Sequence, residues 1–225
     1  MIIGVTGDTH GDFTLERFYN AKAKELDVLI VCGDFGYVWY GNNRENERLD
    51  KINKLGITVL FVAGNHENYD LLKSYETVEI FDGKAKKIRN NIYQLLTGEI
   101  YDIDNKTFLV LGGAESIDKD LRIKGLSWWE EEIPTAEEIQ NAKNNVSKRN
   151  NKVDFIISHT AFPEAIRYLG FNPKNDKATY LLEWFKDNVE YKQWFFGHMH
   201  TNKKIIEYKT TCIYEYITFL EPYLR

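Results

Sequence analysis

The sequence is poor in cysteine, with only Cys32 and Cys212 among 225 residues. Two cysteines cannot form a disulfide framework, and Cys32 directly follows the apolar run from Val28 to Val31, where a buried thiol is common. The N-terminus also lacks the charged region, the long apolar run and the small-residue cleavage site of a secretion signal. Together these absences predict a protein of the reducing cytoplasm.

Long hydrophobic runs and an excess of positive charge are missing as well. No stretch of about 18 apolar residues occurs, so we expect no membrane-spanning helix. There are 29 basic and 34 acidic residues, a formal net charge of -5, which offers no global attraction to nucleic acid or to an anionic membrane. A phosphate-bearing substrate would therefore have to be captured locally, a task suited to a bound divalent cation.

Hydrophobic material, in contrast, is plentiful. Hydrophobic residues make up 43% and aromatic residues 14% of the chain, which excludes a disordered or fibrous polymer. The length suits one ordinary domain, and no linker, repeat or low-complexity segment interrupts it. We predict a single domain over residues 1–225, with residues 68–150 forming an insertion that determines substrate specificity.

One pattern recurs five times: a short, β-branched apolar run ends in a small residue, and a potential metal ligand follows at once. The runs are 2–7 before Asp8 and His10, 28–33 before Asp34, 58–64 before Asn65 and His66, 153–158 before His159, and 193–197 before His198 and His200. Runs that are apolar throughout predict strands buried on both faces. Between them, helical spacing predicts helices over 12–24, 44–55, about 135–151 and 178–188, the third opened by a capping box of Thr135 and Glu138.

Residues 77–113 have a different sequence pattern, because short strand patterns alternate there with turn signals at Asp82-Gly83, Thr97-Gly98 and Asp104-Asn105. This segment predicts antiparallel strands that form a second sheet. The strand, helix, strand alternation elsewhere brings the carboxyl ends of the parallel strands to one edge, where such sheets bind ligands.

All five histidines of the chain fall at the predicted strand ends. A single histidine of this kind is more often a hydrogen-bonded structural residue, but five strand ends that carry Asp-x-His, Gly-Asp, Gly-Asn-His, Ser-His and Gly-His-x-His do not fit that interpretation together. Carboxylate, amide and imidazole ligands without thiolates suit Mn²⁺ foremost, with Fe, Zn²⁺ or Ni²⁺ as alternatives.

These motifs, in this order from residue 7 to residue 200, resemble those of the calcineurin-like metallophosphoesterase superfamily. The resemblance implies a four-layer αββα sandwich of two mixed β-sheets with a dinuclear metal site at the strand ends. It also implies Asp8, His10 and His200 on one metal, Asn65, His159 and His198 on the other, and Asp34 as the bridge. The implied reaction is attack on phosphorus by a hydroxide that bridges the two metals.

The resemblance further implies that His66 is catalytic and either protonates the leaving oxygen or holds the phosphate, together with Asp34 and Asn65 at the reacting centre. The alternative is a histidine that only orients Asn65 or Glu67. Close relatives among the phosphoprotein phosphatases continue their bridging aspartate with a further Asp and Arg, whereas this chain continues Phe35-Gly36. A phosphoprotein phosphatase is therefore disfavoured.

Specificity is expected in the loop from Glu115 to Ile133. Arg122 and Lys124 can meet phosphate oxygens, and Trp128 and Trp129 can stack on a base or else anchor the loop on the core. The expected partner is a phosphate ester, with nucleotides among the candidates, and neither nucleic acid nor a membrane.

Two other functions, a nuclease and a scaffold, stay open. A nuclease is suggested by the basic cluster Lys84, Lys86, Lys87 and Arg89, although a solvated hairpin explains the cluster equally simply. A phosphodiesterase and a phosphomonoesterase are not distinguished. A non-catalytic scaffold that keeps the fold would be expected to have eroded motifs, and none is eroded here.

Overall fold

The computed structural model describes residues 1–173 and 176–220, which form two β-sheets and six α-helices. The strands are β1 (Ile3–Thr6), β2 (Val28–Val31), β3 (Thr58–Val62), β4 (Thr77–Ile80), β5 (Gly83–Arg89), β6 (Ile92–Leu95), β7 (Ile100–Ile103), β8 (Lys106–Leu111), β9 (Phe155–Ser158), β10 (Gln193–Phe196), β11 (Lys203–Ile205), β12 (Thr210–Cys212) and β13 (Thr218–Phe219). The helices are α1 (Glu16–Ala23), α2 (Asn43–Asn53), α3 (Tyr69–Ser74), α4 (Ala136–Ser147), α5 (Pro163–Tyr168) and α6 (Lys177–Asn188).

Both sheets are mixed, with parallel strands at the centre. Within the described residues the first sheet has the order β13-β1-β2-β3-β6-β5-β4, and β1, β2, β3 and β6 run parallel to one another. The second has the order β11-β12-β10-β9-β8-β7, and β12, β10, β9 and β8 run parallel. Antiparallel strands border each parallel centre. Because the central strands run parallel, their carboxyl ends lie at one edge of each sheet.

The two sheets pack face to face, and helices cover both outer faces. Successive residues of a strand point to opposite faces, so Leu29 and Val31 meet α1 and α2 outside, whereas Val28 and Ile30 meet the second sheet inside. Helices α4, α5 and α6 cover the outer face of the second sheet. The predicted four-layer αββα architecture is confirmed.

The five apolar runs are strands as predicted. Four of them, β1, β2, β9 and β10, are fully buried over their whole length, and β3 is buried apart from its first residue. Burial on both faces explains why these strands lack the alternation of a half-exposed strand.

The prediction that residues 77–113 form a second sheet is wrong in part. The segment is antiparallel, as expected, but β4, β5 and β6 extend the first sheet, because β6 pairs in parallel with β3. Only β7 and β8 belong to the second sheet, where β8 pairs in parallel with β9. The local turn signals fix each hairpin, whereas the choice of sheet depends on a partner strand remote in sequence.

The four predicted helices are present; three are shorter than predicted, and α6 begins one residue earlier, at Lys177. α1 begins at Glu16 because the carboxylate of Asp12 accepts bonds from the backbone N–H and the hydroxyl of Thr14, which competes with helix formation. α4 ends at Ser147, although its predicted capping box of Thr135 and Glu138 is confirmed. The six-residue helices α3 and α5 were not predicted, despite an Asn68 N-cap and a proline in the first turn.

Two further observations concern the absences in the sequence. Cys32 and Cys212 are both buried free thiols. Across residues 1–173 and 176–220, no helix has the length and apolar character needed to cross a bilayer.

Candidate metal centre

The loops that follow five parallel strands meet in space and bring the predicted ligands together. These are Asp8 and His10 after β1, Asp34 after β2, Asn65 after β3, His159 after β9, and His198 and His200 after β10. Three of the strands lie in the first sheet and two in the second. The site therefore spans the seam between the sheets.

Glycine precedes several of these residues because the side chain of a neighbouring ligand fills the space beside it. A Cβ atom on Gly64 would lie 2.1 Å from Oδ1 of Asp34, and one on Gly197 would lie 2.2 Å from Oδ1 of Asp8. Any side chain at these two positions would displace a carboxylate. The sequence pattern of a glycine before each ligand thus has a packing cause.

Asp8, His10 and His200 form the first group of ligand atoms. Oδ2 of Asp8 lies 3.0 Å from Nε2 of His200 and 3.7 Å from Nε2 of His10, and the two imidazole nitrogens are 3.0 Å apart. Oδ1 of Asp8 accepts a hydrogen bond of 2.9 Å from the backbone N–H of His198, which fixes the orientation of the carboxylate.

Asp34, Asn65 and His159 form the second group, and His198 lies beside it. Nδ1 of His159 donates to the carbonyl oxygen of Cys32 at 2.9 Å, which leaves Nε2 to face the other ligand atoms. Burial alone would lower the pKa of His159, but Asp34 outweighs burial and raises that pKa to about 10, so a cation bound at Nε2 would displace a proton. Nε2 lies 3.2 Å from Oδ1 of Asp34 and 3.0 Å from Oδ1 of Asn65. The ring of His198 packs 4.9 Å from that of His159.

Asp34 stands between the two groups. Its Oδ1 faces His159 and also accepts a 2.8 Å hydrogen bond from the backbone N–H of His66, while its Oδ2 lies 3.9 Å from Nδ1 of His10. This position suits a carboxylate that reaches both sites.

Four of these residues adopt a backbone conformation that non-glycine residues rarely take. The φ angles are 49° at His10, 48° at Asp34, 62° at His198 and 45° at His200. Left-handed backbone at such residues costs about 1 kcal/mol or more each, and it concentrates at functional sites. The fold maintains this strain where it aims ligand side chains at a common point.

The electrostatics of the centre favour a bound cation. Burial alone would raise the pKa of Asp34, but the neighbouring His159 outweighs burial and holds the pKa of that carboxyl well below its usual range. Burial lowers the pKa of His198 to about 4, so this imidazole is neutral at pH 7 and one of its two ring nitrogens has a lone pair available. An ionised carboxylate and neutral imidazoles are the forms that bind metals.

The donor set therefore fits divalent ions. Oδ2 of Asp8 is buried without a properly aligned hydrogen-bond donor, and Nε2 of His159 converges with two acceptor oxygens. Within the described part of the chain, oxygen and imidazole nitrogen atoms come within 4.8 Å of one another in two groups, Asp8 with His10 and His200, and Asp8 with Asp34 and His159. The site contains no thiolate ligand, in keeping with borderline ions such as Mn²⁺, Fe or Zn²⁺.

His66 lies beside the centre and is half-buried. Its ring stands 5.3 Å from that of His10, and its Nε2 lies 3.4 Å from Nη2 of Arg122. Burial lowers the pKa of His66, and Arg122 lowers it further, while Asp34 opposes both effects. The imidazole thus borders the space in front of the ligands.

Arg122 is held in the wall of a cavity of about 540 Å³ that opens on Asn65, His198 and His200. Its Nε forms a 2.9 Å ion pair with Asp118, and this pairing orients the guanidinium toward His66. Lys124 is exposed and pairs with Glu130 instead.

The positions of Trp128 and Trp129 do not match a role in stacking on a substrate base. Trp129 is only 4% exposed, packs edge-on against Trp39 and donates its indole N–H to Asp70 at 2.9 Å. It anchors the 115–133 loop to the core, the alternative considered above. Trp128 is half-buried, and among the described residues that line the cavity beside the ligands neither tryptophan occurs.

Glu67 is a residue of the site that the sequence did not single out. Its buried carboxyl accepts a 2.6 Å hydrogen bond from the N–H of Phe35 and a longer one from Gly36, so it clamps the loop that carries Asp34. Burial raises the pKa of this carboxyl, and so does nearby Asp34. The sequence feature that could have identified Glu67 as a residue of the site is its position directly after Asn65 and His66.

Two members of the basic cluster, Lys86 and Arg89, make contacts within the protein itself. Nζ of Lys86 donates to the carbonyl oxygens of Lys73 and Tyr75, and Arg89 binds Asp50 at 2.7 Å and Asn46 at 2.7 Å. These contacts suit the solvated-hairpin interpretation of the cluster.

A sandwich of two mixed sheets with oxygen and imidazole ligands gathered at its strand ends defines a class of metal-dependent hydrolases. The sequence profile described as calcineurin-like phosphoesterase matches residues 1–202 of this chain. The chain belongs to the calcineurin-like phosphoesterase family, whose members are metal-dependent phosphoester hydrolases.

The individual relatives are distant. An uncharacterized protein of Acanthamoeba polyphaga mimivirus is 26% identical over 103 residues, which cover 44% of this chain and 36% of that protein. The match thus spans about a third of the length of that relative.

Among solved structures, TT1561 of Thermus thermophilus superposes with a TM-score of 0.55 at 11% identity, over 95% of this chain and 88% of that one. The phosphopantetheinyl hydrolase of Mycobacterium tuberculosis superposes with a TM-score of 0.50 at 15% identity, again over 95% and 88%. Likeness at this level of identity shows a shared fold.

Proposed function

We propose that this protein hydrolyses phosphoester bonds, in phosphodiesters or phosphomonoesters, with two divalent metal ions. The ions would be held by the seven ligand residues described above, with Asp34 between them and Mn²⁺ as the foremost candidate. The observation that carries the proposal is the convergence of Asp8, Asp34 and His159, from three strands of two sheets, to within 4.8 Å of one another.

When bound, such ions supply Lewis-acid stabilisation of phosphoryl oxygens and an activated water. The chain would supply the geometry. Oδ1 of Asp34 is fixed by the N–H of His66, and Asp8 by the N–H of His198, so that both carboxylates keep their orientation without reorganisation during the reaction. Asn65 is positioned by its amide, which donates to Oγ of Ser116 at 3.3 Å.

His66 is proposed as the proton donor to the leaving oxygen. Its pKa lies below the ordinary value because of burial. A phosphate dianion beside the ring would raise that pKa, since a neighbouring negative charge favours the imidazolium form. Arg122, 3.4 Å from Nε2 of His66, would then bind a non-bridging phosphate oxygen and keep the ring in place.

The decisive experiment compares the wild type with Asp34→Asn on a chromogenic phosphomonoester and the matching diester, with Mn²⁺ present. Asparagine keeps the size of the side chain but loses the charge, so we expect turnover to fall by about a hundredfold or more. Asp187→Asn, on the exposed face of α6, is the matched control and should keep full activity. Undiminished turnover in Asp34→Asn would refute the mechanism.

His66→Gln tests the proton donor separately. The variant should keep its metal content, because His66 is not among the proposed ligands. Turnover should fall by about a hundredfold on an alkyl phosphate, a poor leaving group, and much less on a nitrophenyl ester, which needs no proton. Equal losses on both esters would assign His66 to positioning instead.

A nuclease and a scaffold are separated from an esterase in the same assays. Cutting of single-stranded DNA or RNA with Mn²⁺, without turnover of small esters, would favour the nuclease. Metal uptake without any hydrolysis would favour the scaffold.

A further inference from the structure

A second cavity adjoins the candidate metal centre on the side of helix α2. Its volume is about 470 Å³, it opens beside His10 and His66, and it shares His66 with the cavity that contains Arg122. We call it the arginine pocket and define it by the residues that line it: His10, Gly11, Phe13, Gly36, Trp39, Tyr40, Asn42, Arg44, Glu45, Arg48 and His66. Phe13, Arg44 and Arg48 lie outside the motifs that carry the proposed ligands.

Two arginines of this pocket share one aromatic ring. The guanidinium carbon of Arg44 lies 4.6 Å and that of Arg48 lies 4.1 Å from the centre of the Phe13 ring. Residues four apart face the same side of a helix, so both cations project from α2 into the pocket. Phe13 is 67% exposed, and its contact with the two cations accounts for an apolar ring at that surface.

The positive charge of the pocket lacks a carboxylate counterion. In the described part of the chain, neither Arg44 nor Arg48 forms an ion pair, although Arg48 donates to the carbonyl oxygen of Gly11 at 3.1 Å. The one carboxylate in the wall, Glu45, is buried and accepts bonds from the backbone N–H groups of residues 39, 40 and 41. The carboxylate oxygens of Glu45 are therefore occupied by that loop, and the two arginines outnumber this one negative charge in the pocket wall.

Two like charges held close together without a counterion favour the binding of an anion. The pocket lies next to His10 and His66, where the phosphorus of the substrate would be attacked. An anionic group bound in the pocket would therefore be a second group of the same substrate molecule. The guanidinium fork matches the oxygens of a phosphate group, which can accept from both arginines at once. The positive end of α2, whose N-cap Asn42 also lines the pocket, adds to the same potential.

We propose that the arginine pocket binds a second phosphate group of the substrate, so that the enzyme prefers phosphoesters that carry two phosphate groups. This inference rests on the proposed function, because it takes the first phosphate to be the one hydrolysed at the metal centre. Arg44 and Arg48 determine specificity in this scheme and take no part in bond cleavage.

The test uses two chromogenic substrates that differ by one group. They are thymidine 5′-(4-nitrophenyl phosphate) and the same compound with a 3′-phosphate. The metal-loaded wild type should show a higher kcat/KM for the bisphosphate. Arg44→Gln or Arg48→Gln should reduce that preference about tenfold each, and the double variant should abolish it. Activity on the compound without the 3′-phosphate should stay unchanged, and raised salt should weaken the preference.

Arg149→Gln is the matched control, because Arg149 is an exposed arginine in the turn after α4, outside the pocket. It should leave both substrates unaffected. A wild type that turns over both compounds equally would overturn the proposal, and so would a preference that survives in the double variant. Equal losses on both substrates in the arginine variants would also overturn it, since they indicate a structural role.

Calorimetric titration separates this proposal from the proposed function. Thymidine 3′,5′-bisphosphate should bind the full chain more tightly than thymidine 5′-monophosphate, and the double variant should lose the difference. If no substrate is turned over while this binding difference persists, the proposed hydrolysis fails and the pocket stands. If turnover is normal without any binding difference, the pocket fails and the hydrolase stands.

Discussion

His10, Asp34, His198 and His200 show how the site is built at the scale of single residues. Each has a positive φ angle, and each follows a strand that is buried over its whole length. The rigid strands keep the following residues in conformations that a free chain would avoid. Side chains held in this way need little reorganisation when they bind an ion, which favours affinity.

Glu67 illustrates the support behind such a residue. Its carboxyl takes up the N–H groups of Phe35 and Gly36, and these follow Asp34 in the chain. Glu45 plays the same part for the N–H groups of residues 39–41, a segment that carries no proposed ligand. The two glutamates form a natural pair for comparison.

We predict that Glu67→Ala lowers metal affinity by about tenfold or more, because the loop that carries Asp34 loses its clamp. Glu67→Ala and Glu45→Ala should each lower the free energy of unfolding by about 1–3 kcal/mol. Glu45→Ala should nevertheless keep the metal affinity of the wild type. Metal titration followed by calorimetry, together with urea unfolding, measures both quantities. Equal metal affinity in the two variants would contradict the role given to Glu67.

At the scale of secondary-structure elements, the two ends of the central strands have different roles. The carboxyl ends carry the ligands. The opposite ends are tied together by Asp154, which precedes β9: its Oδ2 accepts from the N–H and hydroxyl of Thr107 in β8, and its Oδ1 pairs with Lys192 just before β10 at 2.9 Å. This residue therefore joins three neighbouring strands of the second sheet.

Partial burial alone would raise the pKa of Asp154, but the hydrogen bonds from Lys192 and Thr107 outweigh it and lower the pKa. A carboxyl whose pKa is lower in the folded state contributes stability above its unfolded pKa, about 3.9, and loses that contribution as the pH falls through the folded value. We predict that Asp154→Asn costs about 1–2 kcal/mol at pH 7.

The loss of unfolding free energy caused by Asp154→Asn should decrease progressively below about pH 4. There the wild-type carboxyl becomes protonated and, like the asparagine amide, carries no charge. Urea unfolding of both proteins from pH 7 to pH 3 measures the difference in unfolding free energy. A difference that is constant over this range would show that the charge of Asp154 is not what joins the strands. Metal affinity should be unaffected, because the residue lies at the other end of the strands.

At the scale of the whole molecule, the proposed ligands come from both sheets. Asp8 and Asp34 belong to the first sheet, and His159 and His200 belong to the second. A cation bound between them would bridge elements that otherwise meet mainly through the apolar contacts of the inner core. Binding to the folded state alone stabilises that state by mass action.

We predict that Mn²⁺ at about one hundred times its dissociation constant raises the melting temperature by roughly 5–10 °C for each ion bound, and that a chelator reverses the rise. Scanning calorimetry with and without metal measures the effect. Asp8→Asn should reduce it, whereas Asp187→Asn should behave as the wild type. A melting temperature that does not respond to any of Mn²⁺, Zn²⁺ or Fe²⁺ would contradict the metal centre.

The sequence by itself determined the central strands and the residues that follow them. Burial on both faces demands continuous apolar runs, and close packing of ligands demands the glycines before Asp34, Asn65 and His198, so both requirements are visible in a local stretch of chain. The same local signals located four helices and the capping box of Thr135. The roles of the seven residues as ligands stay a prediction, although the structure brings them together.

Only the tertiary structure decided the rest, because those features depend on contacts between segments remote in sequence. It assigned β4–β6 to the first sheet through the pairing of β6 with β3, and it packed Trp129 against Trp39 in the core. It also placed Phe13 against two arginines of α2, some thirty residues further along the chain. A local pattern contains no information on which distant partner completes a contact.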